Sequence, residues 1–64
     1  MTHAEILQSI GTDRAVAALV EQPLYRVRKW RQRDRIPSPH WLPVIDAARR
    51  KRIRGVTLRA LAGG

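Results

Sequence analysis

Cysteine is absent from the 64 residues, and only five acids and three aromatic side chains (Trp30, Trp41 and Tyr25) are present. Without cysteine, neither a disulfide framework nor a thiolate zinc site can staple so short a chain. His3 and His40 lie far apart with no spaced acidic pair beside them, so no metal site and no cofactor is expected, and capping or surface roles suffice for both. Glu5, Asp13, Glu21, Asp34 and Asp46 form no evident catalytic pair. There is also no glycine-rich phosphate loop and no Ser/His/Asp set, so the chain is not expected to be an enzyme. Nowhere do eighteen apolar residues follow one another, and the opening MTHAEILQSIGTD lacks a basic segment leading into a long apolar run. Neither a membrane span nor a secretion signal is therefore expected, and a cytoplasmic protein is the default.

Positive charge is what the chain has in excess. Thirteen Lys and Arg against five acids give a formal charge of +8 and a pI near 11.8. Such a balance implies self-repulsion and attraction to a polyanion, nucleic acid or an anionic membrane before any small acidic substrate. The length allows one domain, residues 1 to 64, whose core supplies only about 3–5 kcal/mol of net stability.

Local signals divide the chain into helices. Thr2-His-Ala-Glu5 matches a capping box, after which Ile6, Leu7 and Ile10 share a face. Gly11 supplies a positive φ to end this helix, and Thr12 caps the next, DRAVAALV, with Val16, Leu19 and Val20 at helical spacing. Its small Ala15, Ala17 and Ala18 permit close approach. Pro23 suits the first turn of a third helix. Along that helix Leu24, Val27 and Trp30 fall on one side, and Tyr25, Arg28, Lys29 and Gln32 on the other. The stretch from Arg26 to Arg35 packs six cations with Asp34 as its only acid, and Val27 and Trp30 interrupt it to anchor the helix. Ile36-Pro-Ser-Pro39 forces a turn, with Ser38 expected as cap and Pro39 as the opening of helix four. Trp41, Val44, Ile45 and Ala48 are its expected inner face, and Arg49 to Arg52 either place cations against its negative dipole end or serve as phosphate contacts. Thr57 caps a last piece whose apolar patch is Val56, Leu58 and Leu61. No segment alternates like a strand, so the expected fold is all-α, a compact four- to five-helix domain with a helix-turn-helix at helices 2 and 3.

Ala17, Val27 and Trp30 at their mutual spacings, followed by Arg35-Ile-Pro37, Trp41 and Ala-Ala-Arg-Arg at 47 to 50, carry a resemblance across residues 4 to 54. The chain resembles the lambda-repressor-like helix-turn-helix proteins, in particular the small Cro-like phage regulators and the compact carph-isopro group. It departs from their pattern at Glu21 and Gln22, where the family places glycine and a branched apolar residue. A non-glycine residue there is strained by roughly 1 kcal/mol if φ is positive. Leu24 is expected to take over the missing apolar contact.

The resemblance implies a sequence-specific regulator of transcription that binds double-stranded DNA with its third helix, about residues 23 to 33, in the major groove. The expected base-reading face is Gln22, Tyr25, Arg28, Lys29 and Gln32, with Arg28 foremost. Expected phosphate contacts are Thr12, at the start of helix two, and Arg26, Arg31, Arg33 and Arg35 on the flanks. A homodimer on a pseudo-palindromic site would place half-sites about 34 Å apart; Leu58 and Leu61 are the expected dimer contact, the alternative being that they close the core. Regulation would follow from occupying a promoter or recruiting RNA polymerase, in the cytoplasm at a bacterial nucleoid. Two other readings share the charge: an excisionase-like architectural protein, which needs a β-wing, and a basic RNA-binding module.

Overall fold

A computed structural model describes residues 2 to 63. Five α-helices follow in order: α1 (His3–Ile10), α2 (Asp13–Val20), α3 (Leu24–Arg33), α4 (Trp41–Arg50) and α5 (Leu58–Gly63), with a 3-10 turn at Ser38–His40. The fold is all-helical, as the patterning predicts, and α5 occupies the stretch where a β-wing would have to lie.

Each helix start reflects the chemistry of its first residues. The Thr2 hydroxyl accepts the Glu5 N–H at 3.1 Å and the Glu5 carboxylate accepts the Thr2 N–H at 2.9 Å, completing the capping box. Thr12 and Thr57 accept from Ala15 N–H and Ala60 N–H, each at 3.1 Å. Pro23 stands one residue outside α3 as its N-cap, where the missing N–H removes nothing from the helix. Ser38 and Pro39 depart from expectation. They form the 3-10 turn, Ser38 makes no capping bond, and α4 begins at Trp41. This start keeps Pro43 within the first turn, where a helix has no use for the absent donor.

The helix ends show a shared device. Gly11 closes α1 at φ 151°, in a region open to glycine, and its N–H donates to Leu7 C=O at 3.2 Å. The other three closures are left-handed non-glycine residues, Glu21 (φ 55°), Asp34 (φ 52°) and Arg52 (φ 58°). After each, the next N–H reaches back to the helix: Gln22 to Ala17 C=O, Arg35 to Trp30 C=O and Ile53 to Ala48 C=O, at 3.0, 3.0 and 2.9 Å. These are Schellman closures, so orphan carbonyls are satisfied despite the Cβ penalty.

The core is one cluster. Ile6, Leu7 and Ile10 of α1 meet Val16, Ala17 and Val20 of α2, Val27 and Trp30 of α3, and Val44, Ala47 and Ala48 of α4, with Ile36, Val56 and Leu61 closing it. α2 packs on α1, α3 and α4, so it is the hub against which α3 is set. The inner face of α4 is rotated from expectation: Ala47 is buried, while Trp41 and Ile45 are half-buried at the margin. Leu61 is buried as well, which removes it from any interface with a second copy, whereas Leu58 is 53% exposed.

His3 corrects the sequence reading most sharply. Rather than capping or facing solvent, it is buried and joins three segments distant in sequence. Ile36 N–H donates to its Nδ1 at 2.7 Å, so Nε2 carries the hydrogen and donates to Leu61 C=O, also at 2.7 Å. The Trp41 indole meets the imidazole edge-on at 6.2 Å between centroids. One ring therefore ties α1 to the segment after α3 and to α5.

Candidate nucleic-acid interface

α3 presents two unlike sides because its apolar residues recur at helical spacing inside a basic run. Val27 and Trp30 are buried and Leu24 half-buried, which fixes the helix on α1 and α2. Tyr25, Arg28, Lys29 and Gln32 are exposed, as the wheel predicts, with Tyr25 at 58%. Going round at 100° per residue, Tyr25, Lys29 and Gln32 point most directly outward. Arg28 leans to one flank, and Arg26 and Arg33 to the other.

The expected cations divide into three kinds. Arg28, Lys29, Arg33 and Arg35 are exposed and unpaired among the described residues. Arg26 is half-buried and organised locally. Its guanidinium donates to Gln22 Oε1 at 3.0 Å and its carbon lies 6.0 Å from the Tyr25 ring centroid, so Gln22, Tyr25 and Arg26 form one hydrogen-bonded and cation–π unit at the start of α3.

Arg31 is the correction. Expected as a free arm reaching phosphate, it turns inward: its Nε lies 2.6 Å from Asp13 Oδ1, and its Nη2 donates to Gly11 C=O at 3.4 Å. These two buried atoms have no other partner, so the contact is a charge pair between them. The side chains are 32% and 26% exposed, which leaves the pair partly screened by water. Its effect is positional, since it clamps α3 to the start of α2. The same pair alters the Thr12 end of α2. Thr12 spends its hydroxyl oxygen on the cap, and the Asp13 carboxylate already occupies the positive end of the helix, so an anion there would meet a resident negative charge.

The C-terminal end of α3 is braced by contacts that local patterning does not disclose. Asp34 Oδ1 accepts the Ala4 N–H at 2.7 Å, capping α1 from across the fold. Trp41 Nε1 donates to Ile36 C=O at 2.6 Å, and the His40 ring packs on Trp30 with centroids 4.9 Å apart at 38°. Chemically, the assembly is a rigid helix offering donors and one phenol outward, with no carboxylate on that face. Among the described residues no group of His and acids could hold a metal ion, and no helix is long and apolar enough to cross a membrane. The basic run at the end of α4 is exposed, with Arg50 paired to Asp46 at 3.1 Å.

Comparison with protein-family models, with curated proteins and with solved structures finds no match to this chain.

Proposed function

We propose that this chain is a sequence-specific, double-stranded DNA-binding regulator of transcription, with α3 lying in the major groove. The observation that carries the reading is the two-sidedness of α3: a seam of Leu24, Val27 and Trp30 holds it on the fold, and its opposite side carries cations and amide donors without an acid. A major groove about 12 Å wide admits one such helix and displays a different donor and acceptor pattern for each base pair. Ten residues rise about 15 Å, enough to face roughly four base pairs.

Roles within the site follow from geometry. Arg28 and Lys29 present flexible donors suited to guanine O6 and N7, and Gln32 suits adenine. Gln22, held by Arg26, reads less freely than an unpaired amide. Arg33 and Arg35 extend from the flank and end of the helix, where guanidinium groups reach phosphates and set orientation. Arg31 acts through α3 rather than on DNA. So short a helix reads few base pairs, and a second copy on a pseudo-palindrome would double the contacts. Such a regulator would occupy a promoter or recruit RNA polymerase.

The test is a titration of the chain with duplex DNA, single-stranded DNA, RNA and anionic vesicles, followed by mapping of its bound sites. Duplex should bind best, with log K falling against log salt at a slope of about −3 to −5 if four or five phosphates are contacted. Equal or tighter binding to RNA or vesicles would overturn the proposal.

A further inference from the structure

Beside α3 lies a groove of about 530 Å³, between the helix and the segment from Arg35 to His40. Volumes of about 300–1,000 Å³ are those of small-molecule sites. Arg26, Lys29, Arg33 and Arg35 line it, and no carboxylate does. Asp34, the one acid in this stretch, is turned away to the start of α1. The fold gives little reason for gathering these four charges, since Lys29, Arg33 and Arg35 hold nothing together and Arg26 engages only its helix neighbours Gln22 and Tyr25. An anion in the groove would relieve their mutual repulsion.

A second feature narrows the class of anion. Trp30 and His40 both line the groove, their rings in tilted contact at 38°, with Trp30 nearly covered and His40 half-buried. Pro37 and Pro39 also line the groove, and their fixed φ leaves it little freedom to rearrange. The groove thus offers the partly exposed His40 imidazole beside guanidinium groups, and both kinds of side chain can stack on heteroaromatic rings. A bare phosphate would leave the imidazole unused, and a duplex keeps its base faces stacked on each other.

We propose that this groove binds a nucleoside polyphosphate, the base lying against His40 and the phosphates held by Arg26, Lys29, Arg33 and Arg35. Three of these cations belong to α3, so occupancy neutralises charge that the duplex would use. The nucleotide and the duplex therefore oppose one another, each lowering affinity for the other by the same factor. That antagonism rests on the function proposed above; the site itself does not.

The experiment titrates the full chain, at about 0.15 M salt, with adenosine triphosphate, adenosine and tripolyphosphate, following heat and tryptophan emission. Adenosine triphosphate should bind saturably at one site, and adenosine and tripolyphosphate each about tenfold more weakly or worse, because each engages half of the groove. His40→Ala and Arg35→Ala should each weaken the nucleotide about tenfold, and Arg35, being exposed, can be changed without disturbing the core. Arg59→Ala removes the same charge from α5, outside the groove, and should leave the affinity unchanged. Tripolyphosphate binding as tightly as the nucleotide, Arg59→Ala weakening it as much as Arg35→Ala, or no saturable binding would each overturn the site. A chain that binds nucleotide but no duplex removes the proposed function and keeps the site. One that binds duplex but no nucleotide does the reverse, and nucleotide that fails to displace bound duplex refutes the antagonism.

Discussion

Replacing His3 with leucine tests how much of the fold hangs on one imidazole. The ring is 5% exposed and makes two buried hydrogen bonds of 2.7 Å, from Ile36 N–H and to Leu61 C=O. Leucine fills similar space but leaves both backbone groups without partners. Each unsatisfied buried group costs about 1–3 kcal/mol, and the better transfer of leucine out of water returns about 1. The net loss is about 1–5 kcal/mol, set against a total margin of about 3–5 for a domain of this size. The midpoint of thermal unfolding followed by circular dichroism should fall by about 5–40 °C. Hydrogen exchange should rise first in α5, whose Leu61 loses its tie to α1. His3→Gln, with one donor and one acceptor, should recover part of the loss. A His3→Leu variant melting within about 5 °C of the parent would show that the clasp contributes little.

Four further outcomes are expected. Glu21→Gly should stabilise by about 1 kcal/mol, because it relieves a left-handed Cβ and removes an acid from the negative end of α2, whereas Asp34→Gly should not, since it also deletes the acceptor for Ala4 N–H; denaturant midpoints decide. Asp13→Asn and Arg31→Met should each cost about 1 kcal/mol or less, and the double variant no more than either alone, so additive losses in the mutant cycle would deny the pair. Arg28→Ala should cost about 1–3 kcal/mol on the bound site and relax specificity at one position, while Arg33→Ala weakens all duplexes alike and reduces the salt slope by about one; equal loss on specific and random DNA refutes the Arg28 role. The Thr2 backbone N–H, then its side chain, hold the Glu5 carboxyl below its ordinary value. A lowered folded value means the contribution is intact above the usual carboxylate range and is lost as pH falls through the folded value. Glu5→Gln should therefore flatten the acid side of the stability profile, and an unchanged profile would deny the capping contribution.

Features governed by neighbours in the chain were legible. The capping box at Thr2 and Glu5, the Thr12 and Thr57 caps, the glycine closure at Gly11 and the pinned seam of α3 all depend on residues within a turn or two, and each stands where the pattern places it. The strain suspected at Glu21 is present as φ 55°. Legibility failed where a polar side chain chose a distant partner. His3, Asp34 and Arg31 look like surface groups in any local window, yet they reach Leu61, Ala4 and Gly11. A basic run likewise gives no sign of which arginine turns inward, because that depends on an acid brought close by another helix.

Charge sign, the all-helical class and the side on which α3 is greasy were set by the order of residues alone, since helical periodicity and capping act over a few positions. Packing decided the rest: which cations stay free, which one becomes a clamp, and how a buried imidazole closes both ends of the chain. Hydrogen bonds and ion pairs need atoms within about 3–4 Å, and only the assembled core brings such atoms together.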